Sequence, residues 1–237
     1  MSGSNDRGTP GPRHAVYWAP EPTHLLWQAG CAWLGRDPSG RLRLDGDPQR
    51  PTTEPRRYGF HATLKAPFRL APHACEADLL SAVQALAART PVFPMPALQV
   101  RFHEDYLALQ PIGPIEATHP LRRLADACVS ELDRWRAPLT EADTQRRLQN
   151  SELSAEHLDH LHRWGYPHVF DQWRFHMTLS DSLPLERRAE RDALEAQARQ
   201  FFALALRVPL TCSSLCVFTE PAPGQPFRLA HRWALQP

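Results

Sequence analysis

Lysine is almost missing from this chain: of 27 basic residues, 26 are Arg and Lys65 alone is Lys. Where Arg is the general choice, the one ammonium points to a position suited to a compact charge rather than a planar fork. An excess of either charge is missing too. The formal net charge is +1, so no global field draws in long nucleic acid or an anionic membrane, and any anion must be bound locally. Long apolar runs are also absent. The longest, Phe201 to Leu210, contains Arg207 and Pro209 and is too short to cross a bilayer. Residues 1–13 are polar and rich in Gly, Ser and Pro, without the apolar centre of a signal peptide, and read as a disordered lead-in. Paired cysteines are lacking as well. Cys31, Cys75, Cys128, Cys212 and Cys216 form an odd set without zinc-site or disulfide spacing. Reduced, mostly buried thiols and a cytoplasmic location are the expectations.

What is present fits an ordinary folded protein: 237 residues, 42% hydrophobic and 22% charged. A first strand is expected over 14–19, followed by an irregular connection over 36–56. Apolar residues at helical spacing mark helices over 75–89, with Pro91 beyond its end, and over 121–132, with Pro120 in its first turn. A hairpin is expected between them, over 98–102 and 106–110. Residues 135–172 are polar and His-rich and read as a helical insertion. A long helical stretch over 184–206 precedes two strands, over 210–219 and 227–235. Hairpins interspersed with helices define an α+β class, with one domain over 14–237. Strand, helix and hairpin follow one another twice, which predicts an internal duplication into two lobes.

Each repeat opens on the same five-residue pattern, Phe-His-x-Thr-Leu, at 60–64 and 175–179. One His-x-Thr is expected by chance about 0.6 times in a chain of this composition, so the signal lies in the repetition and its flanks. On a strand, His61, Thr63 and Lys65 share one face, and Phe60, Ala62 and Leu64 the other. The second copy puts Arg174, His176, Thr178 and Ser180 on one face, with Phe175, Met177 and Leu179 opposite. Two imidazoles facing across a phosphate suit in-line displacement, one taking a proton from water while the other protonates the leaving oxygen. The threonine hydroxyls would donate to the non-bridging oxygens, and Lys65 and Arg174 would offset their charge. This chemistry requires no metal and no cofactor.

The motif pair resembles the signature of the 2H phosphoesterase superfamily, whose members include RNA 2',3'-cyclic phosphodiesterases. The resemblance implies a bilobal, duplicated fold with antiparallel sheets around a central cleft, and His61, Thr63, His176 and Thr178 at the catalytic positions. The fuller stretches Arg56 to Phe68 and Trp164 to Pro167 resemble a narrower branch associated with phosphonate-utilisation operons. The reading adopted is a monomer acting on a cyclic phosphodiester or other small phosphorylated metabolite, and the link to phosphonate use suggests a ribose cyclic phosphate. RNA cyclic ends are the alternative, or binding of a phosphometabolite without turnover. Arg57, Lys65, Arg69 and Arg174 are the candidate charges for a second phosphate, and Arg57 with Tyr58 for positioning substrate.

Other features invite plainer readings. His157 and His160 share a helical face, but His162 falls about 200° around the helix from His160, so no metal site is assigned. Trp164 to Phe170 is expected to pack the insertion onto a lobe. Arg136-Ala-Pro-Leu echoes Lys65-Ala-Pro-Phe, an echo read as coincidence. Cys212 and Cys216 are expected to share a core-facing side of one strand.

Overall fold

A computed structural model describes residues 11–149 and 153–237. In chain order its elements are β1 (Arg13–Trp18), α1 (Leu25–Leu34), α2 (Thr53–Tyr58), β2 (Ala62–Phe68), α3 (Glu76–Arg89), β3 (Phe93–Pro94), β4 (Leu98–His103), β5 (Tyr106–Pro111) and α4 (Pro120–Glu131). They continue with α5 (Glu141–Gln149), α6 (Ala155–Trp164), β6 (Met177–Thr178), α7 (Arg188–Phe202), β7 (Thr211–Cys212), β8 (Ser214–Glu220) and β9 (Arg228–Ala234). The expected lead-in lies outside the described residues as far as residue 10, and Arg13 already belongs to β1.

The fold is α+β. One antiparallel sheet runs β2-β1-β8-β9 and a second runs β4-β5-β6. Both motif strands, β2 and β6, are edge strands, and the two edges lie against each other. An unpaired edge ordinarily invites aggregation; here the two edges meet across a cleft. The hairpins are exchanged between the halves. The β8-β9 hairpin that follows the second motif completes the sheet of the first, and β4-β5, which follows the first motif, completes the sheet of the second. The helices stay with their own motif: α3 packs on β8 and β9, and α7 on β4. One continuous cluster of buried residues takes in both sheets.

The motif phenylalanines and leucines anchor the edges in this core. Phe60 and Leu64 are buried, as are Phe175 and Leu179. Phe60 lies so close to α1 that a Cβ on Gly30 would stand 2.2 Å from its ring, a contact only glycine permits. Trp173 donates from its indole nitrogen to the Thr63 carbonyl at 2.9 Å, and Trp33 to the Leu179 carbonyl at 2.8 Å. The first bond ties the approach to one motif directly to the strand of the other.

Several expectations shift. Helix α2 occupies the end of the expected irregular connection: Asp181, just past the second motif, accepts from the Thr53 and Glu54 backbone amides at 2.9 and 2.7 Å. A carboxylate 127 residues away in sequence thus satisfies the amides of a six-residue helix, a long-range contact that local periodicity does not carry. The long helix begins at Arg188 rather than 184, after a turn at Pro184. The expected strand over 210–219 divides at Ser213 into β7, paired with β3, and β8. In the second motif only Met177 and Thr178 are laddered as strand, although burial alternates from Trp173 to Leu179. The helical insertion is present as α5 and α6. Cys31, Cys128, Cys212 and Cys216 are buried free thiols and Cys75 is exposed.

Candidate active site

The alternation that anchors Phe and Leu turns His61, Thr63 and Lys65 toward a cavity of about 740 Å³, which Thr178 and Ser180 also line from the second motif. His176 stands beside this wall, near enough that its charge would oppose protonation of His61. The two imidazoles are held alike. Nδ1 of His61 lies 2.8 Å from the Gly59 carbonyl, and Nδ1 of His176 lies 2.9 Å from the Arg174 carbonyl, in each case two residues back. A carbonyl only accepts, so Nδ1 carries the hydrogen in both rings. Nε2 is left in both as the nitrogen that can take or give a proton.

The first carbonyl depends on an unusual backbone. Gly59 ends α2 with φ 82°, and a Cβ there would meet the Pro38 ring at 2.8 Å. Glycine alone turns the chain this way at little cost. Thr63 Oγ1 lies 3.3 Å from Nε2 of His61, so hydroxyl and imidazole converge on one point.

Burial lowers the pKa of His61 to about 4, against the Gly59 hydrogen bond, which favours the charged ring; the charge of His176 lowers it further. His176 is lowered to about 4 by burial, opposed by its Arg174 carbonyl bond and assisted by His103 and His168. Both imidazoles are therefore neutral at pH 7.

Each ring rests on an aromatic neighbour that the motif did not announce. Tyr17 of β1 stacks on His61 with centroids 3.7 Å apart and planes at 18°, and Phe218 lies behind it. His103 of β4 stacks on His176 at 5.3 Å and 19°, with Tyr106 at 5.6 Å. The available signal for Tyr17 was its place in a short apolar run, which marked it as a strand residue and nothing more. Tyr106 was legible as the start of a hairpin strand, whereas His103, which the expected bounds leave in the turn, ends β4. The fold gathers all four tyrosines of the chain, Tyr17, Tyr58, Tyr106 and Tyr166, on this one cavity.

The cations are distributed differently from the motif's simplest implication. Lys65 is buried and gives its ammonium to the Val129 carbonyl and to Asp133, each at 3.1 Å. Asp133 also receives Arg136 at 2.7 and 3.0 Å, so one carboxylate holds two cations. Arg136 lines the same cavity as Lys65, which corrects the reading of their shared sequence as coincidence. Residues 135–137 run beside 69–71, with Ala71 donating to the Trp135 carbonyl and Ala137 to that of Arg69. Arg69 pairs with Asp143 at 3.0 Å. At the other end, Glu220 is fully buried and holds both Arg57, at 2.6 Å, and Arg13. Arg174 is exposed and donates to the Asp171 and Trp173 carbonyls. Its side chain does not line the cavity.

The insertion reaches the site as well as packing on the fold. Trp164 meets Phe170 edge-on at 5.0 Å, and Trp164 and Tyr166 both face the cavity. His157 packs on His168, whereas His160 lies with Glu156 and Asp171 on the outer side of α6, their ligand atoms within 4.8 Å of one another. Asp171 and Glu156 are exposed, and nothing beyond this proximity marks the group as a metal site. No helix among the described residues is long and apolar enough to cross a membrane.

An α+β cleft with one imidazole and one hydroxyl from each of two repeated motifs is the class of site present. Residues 63–228 match the family described as "Protein of unknown function (DUF1045)", and the chain belongs to that family. Two curated relatives carry the name ribose 1,5-bisphosphate phosphokinase PhnN. The relative in Janthinobacterium sp. (strain Marseille) is 38% identical over 91% of this chain and 49% of its own length, and that in Laribacter hongkongensis (strain HLHK9) is 35% identical over 92% and 50%. The chain thus spans about half the length of the curated relatives it matches. Among solved structures, E. coli LigT complexed with NADP+ is similar at 12% identity and TM-score 0.44, covering 96% of this chain and 99% of that one. A structure described as a phosphoesterase is similar at 13% identity and TM-score 0.40, over 96% and 100%.

Proposed function

We propose that this protein hydrolyses a cyclic phosphodiester, or a similarly small phosphorylated metabolite, by acid–base catalysis between His61 and His176. The observation that carries the reading is the matched presentation of the two imidazoles, each with Nδ1–H fixed on a backbone carbonyl and each followed by a motif threonine that lines the cavity. In the reaction, Nε2 of one ring takes a proton from water as the water oxygen bonds to phosphorus. The bond from phosphorus to the leaving oxygen breaks, and that oxygen takes a proton from Nε2 of the other ring. A cyclic diester opens to a phosphomonoester and a free hydroxyl, with no change in total charge or proton count before the new monoester ionises. Thr63 and Thr178 are assigned to the non-bridging oxygens. A bound phosphate's negative charge favours imidazolium and so supplies the acid.

A ribose cyclic phosphate is the substrate we favour within this class, in keeping with a relative's name that refers to ribose 1,5-bisphosphate. The kinase in that name is not carried over. The chain's sole lysine lies in Thr-Leu-Lys-Ala-Pro, so the Gly-rich loop ending in Gly-Lys-Ser/Thr that cradles nucleotide phosphates in many kinases is not present.

The test is turnover of ribose cyclic phosphates, followed by phosphorus NMR, and of cyclic-ended oligonucleotides. His61→Ala and His176→Ala are each expected to lower kcat by roughly 10²- to 10⁴-fold, with the double variant little worse than either single one because the pair acts as a unit. Activity should survive a chelator. Normal turnover by His176→Ala would sink the reading.

A further inference from the structure

Tyr17 presents a problem that the two-histidine chemistry does not solve. Its side chain is fully buried, it faces the cavity, and its hydroxyl has no hydrogen-bond partner among the described residues. A hydroxyl buried without a partner is destabilising, because its hydrogen bond to water is lost and not replaced. Phenylalanine would stack on His61 equally well without that cost, so packing alone does not account for the oxygen.

The surroundings of that oxygen are those of an anion site. The groups that act electrostatically on the Tyr17 phenol are Tyr58, Arg13, Tyr166 and Glu220. Burial, first, and the neighbouring phenols raise its pKa well above the ordinary value while Arg13 lowers it, so the hydroxyl keeps its proton and remains a donor. Tyr58 lies over Phe227 at 4.9 Å and 6.4 Å from His61, and its phenol stands close to Arg13. Arg13 and Arg57 share the single carboxylate of Glu220, which also accepts from the Gly224 amide. Arg57 also reaches the solvent-exposed Glu54 at 3.5 Å, so within the buried group two guanidiniums share one carboxylate, and the second carboxylate stands at its exposed edge, where water screens it. Those two guanidiniums and two phenols flank His61 on the side reached through Tyr17.

We propose that Tyr17, Tyr58, Arg13 and Arg57 form a second anion subsite, which takes a phosphomonoester carried by the same small molecule whose diester lies between the histidines. The proposal rests on the two-histidine reading for the first phosphate only; the subsite itself stands on the Tyr17 hydroxyl and the Arg13–Glu220–Arg57 group. Because Tyr17 stacks directly on His61, about one phenol ring separates the two anions, as on a single sugar-sized skeleton. Of the four cations expected at a second phosphate, the proposal keeps Arg57 and sets the others aside: Lys65 is held by Asp133, Arg69 pairs with Asp143, and Arg174 does not line the cavity.

Calorimetric titration with inorganic phosphate tests this on the full chain, with Tyr17→Phe, Arg57→Gln and His176→Ala as variants. Tyr17→Phe and Arg57→Gln should each weaken one class of phosphate site about tenfold, the scale of one lost charge-assisted hydrogen bond. His176→Ala should leave that class intact. Tyr17→Phe should also melt at the same temperature as the parent or higher, since only a partnerless hydroxyl is removed. Arg57→Gln leaves Glu220 its Arg13 partner, so the two variants check each other. Unchanged phosphate binding in both overturns the subsite whatever the histidine variant does. Equal binding of malonate overturns the phosphomonoester assignment. Loss of turnover is a separate measurement, so the subsite can fail while the histidine mechanism stands, and the reverse.

Discussion

The two motifs are alike in sequence and alike in how they fix an imidazole, but they differ in what surrounds it. His61 lies against the buried Tyr17, while His176 lies against His103 and Tyr106. Four residues beyond the histidine, the first motif has Lys65, paired with Asp133, and the second has Ser180, which accepts from the Leu107 amide at 2.9 Å and donates to the Asp181 carbonyl at 2.8 Å. Two residues before it, the first has Gly59 at positive φ and the second has Arg174. Repetition thus preserves the reacting groups and the carbonyls that aim them. The neighbours at either end belong to each lobe's own packing.

The largest expected effect asks whether the two imidazoles work as a pair. Burial brings both pKa values down to about 4, so at pH 7 the protonated acid is scarce. We expect kcat/KM to rise as pH falls from 7 toward about 4.5, by up to about tenfold per unit. The kcat optimum should lie at higher pH, because bound substrate favours imidazolium. Coincident optima for kcat and kcat/KM would break the pairing, and the pKa values obtained belong to the pair. Stability runs the other way. A histidine whose folded pKa is depressed contributes stability that is present above its unfolded pKa of about 6.5 and is lost as pH falls through about 4. Melting temperature should drop in the same window in which kcat/KM rises, and less steeply in His176→Ala.

The positions four residues on sharpen the contrast in packing. Lys65→Ala removes a buried ammonium from Asp133 and empties its stem's volume, at an expected cost of about 3 kcal/mol, softened because Arg136 remains. Ser180→Ala leaves the Leu107 amide without its acceptor and should cost about 1–2 kcal/mol. Urea unfolding would rank them, and equal costs would remove the distinction. The smallest effects separate backbone from side chain two residues before each histidine. Gly59→Ala forces an L residue to φ 82° against Pro38, displacing the carbonyl that aims His61, and kcat should fall more than KM rises. Arg174→Ala keeps its carbonyl, and its stability should stay within about 0.5 kcal/mol of the parent. A larger loss of kcat in Arg174→Ala than in Gly59→Ala would reverse the assignment of the two carbonyls.

Much of the fold was legible because strand alternation and helical spacing are local. The edges of α3, α4 and the β4-β5 hairpin fall within a residue or two of expectation, and the alternation placed Phe60, Leu64, Phe175 and Leu179 in the core. Helix α2 was not legible, since the carboxylate that satisfies its first amides lies beyond the other motif. Nor was the role of Arg136, whose partner Asp133 also neutralises Lys65. Tyr17 and His103 offered no pattern, because a stack across strands leaves no periodicity in either one.

By itself, then, the sequence determined that two equivalent strands would each present a histidine and a threonine on one face with hydrophobic residues on the other, since side-chain period is a property of the strand. Only the tertiary structure decided that the strands would meet edge to edge, that their hairpins would be exchanged, and which carboxylate would hold which cation. Those outcomes depend on contacts between residues far apart in the chain, and charges are balanced by distance in space rather than separation in sequence.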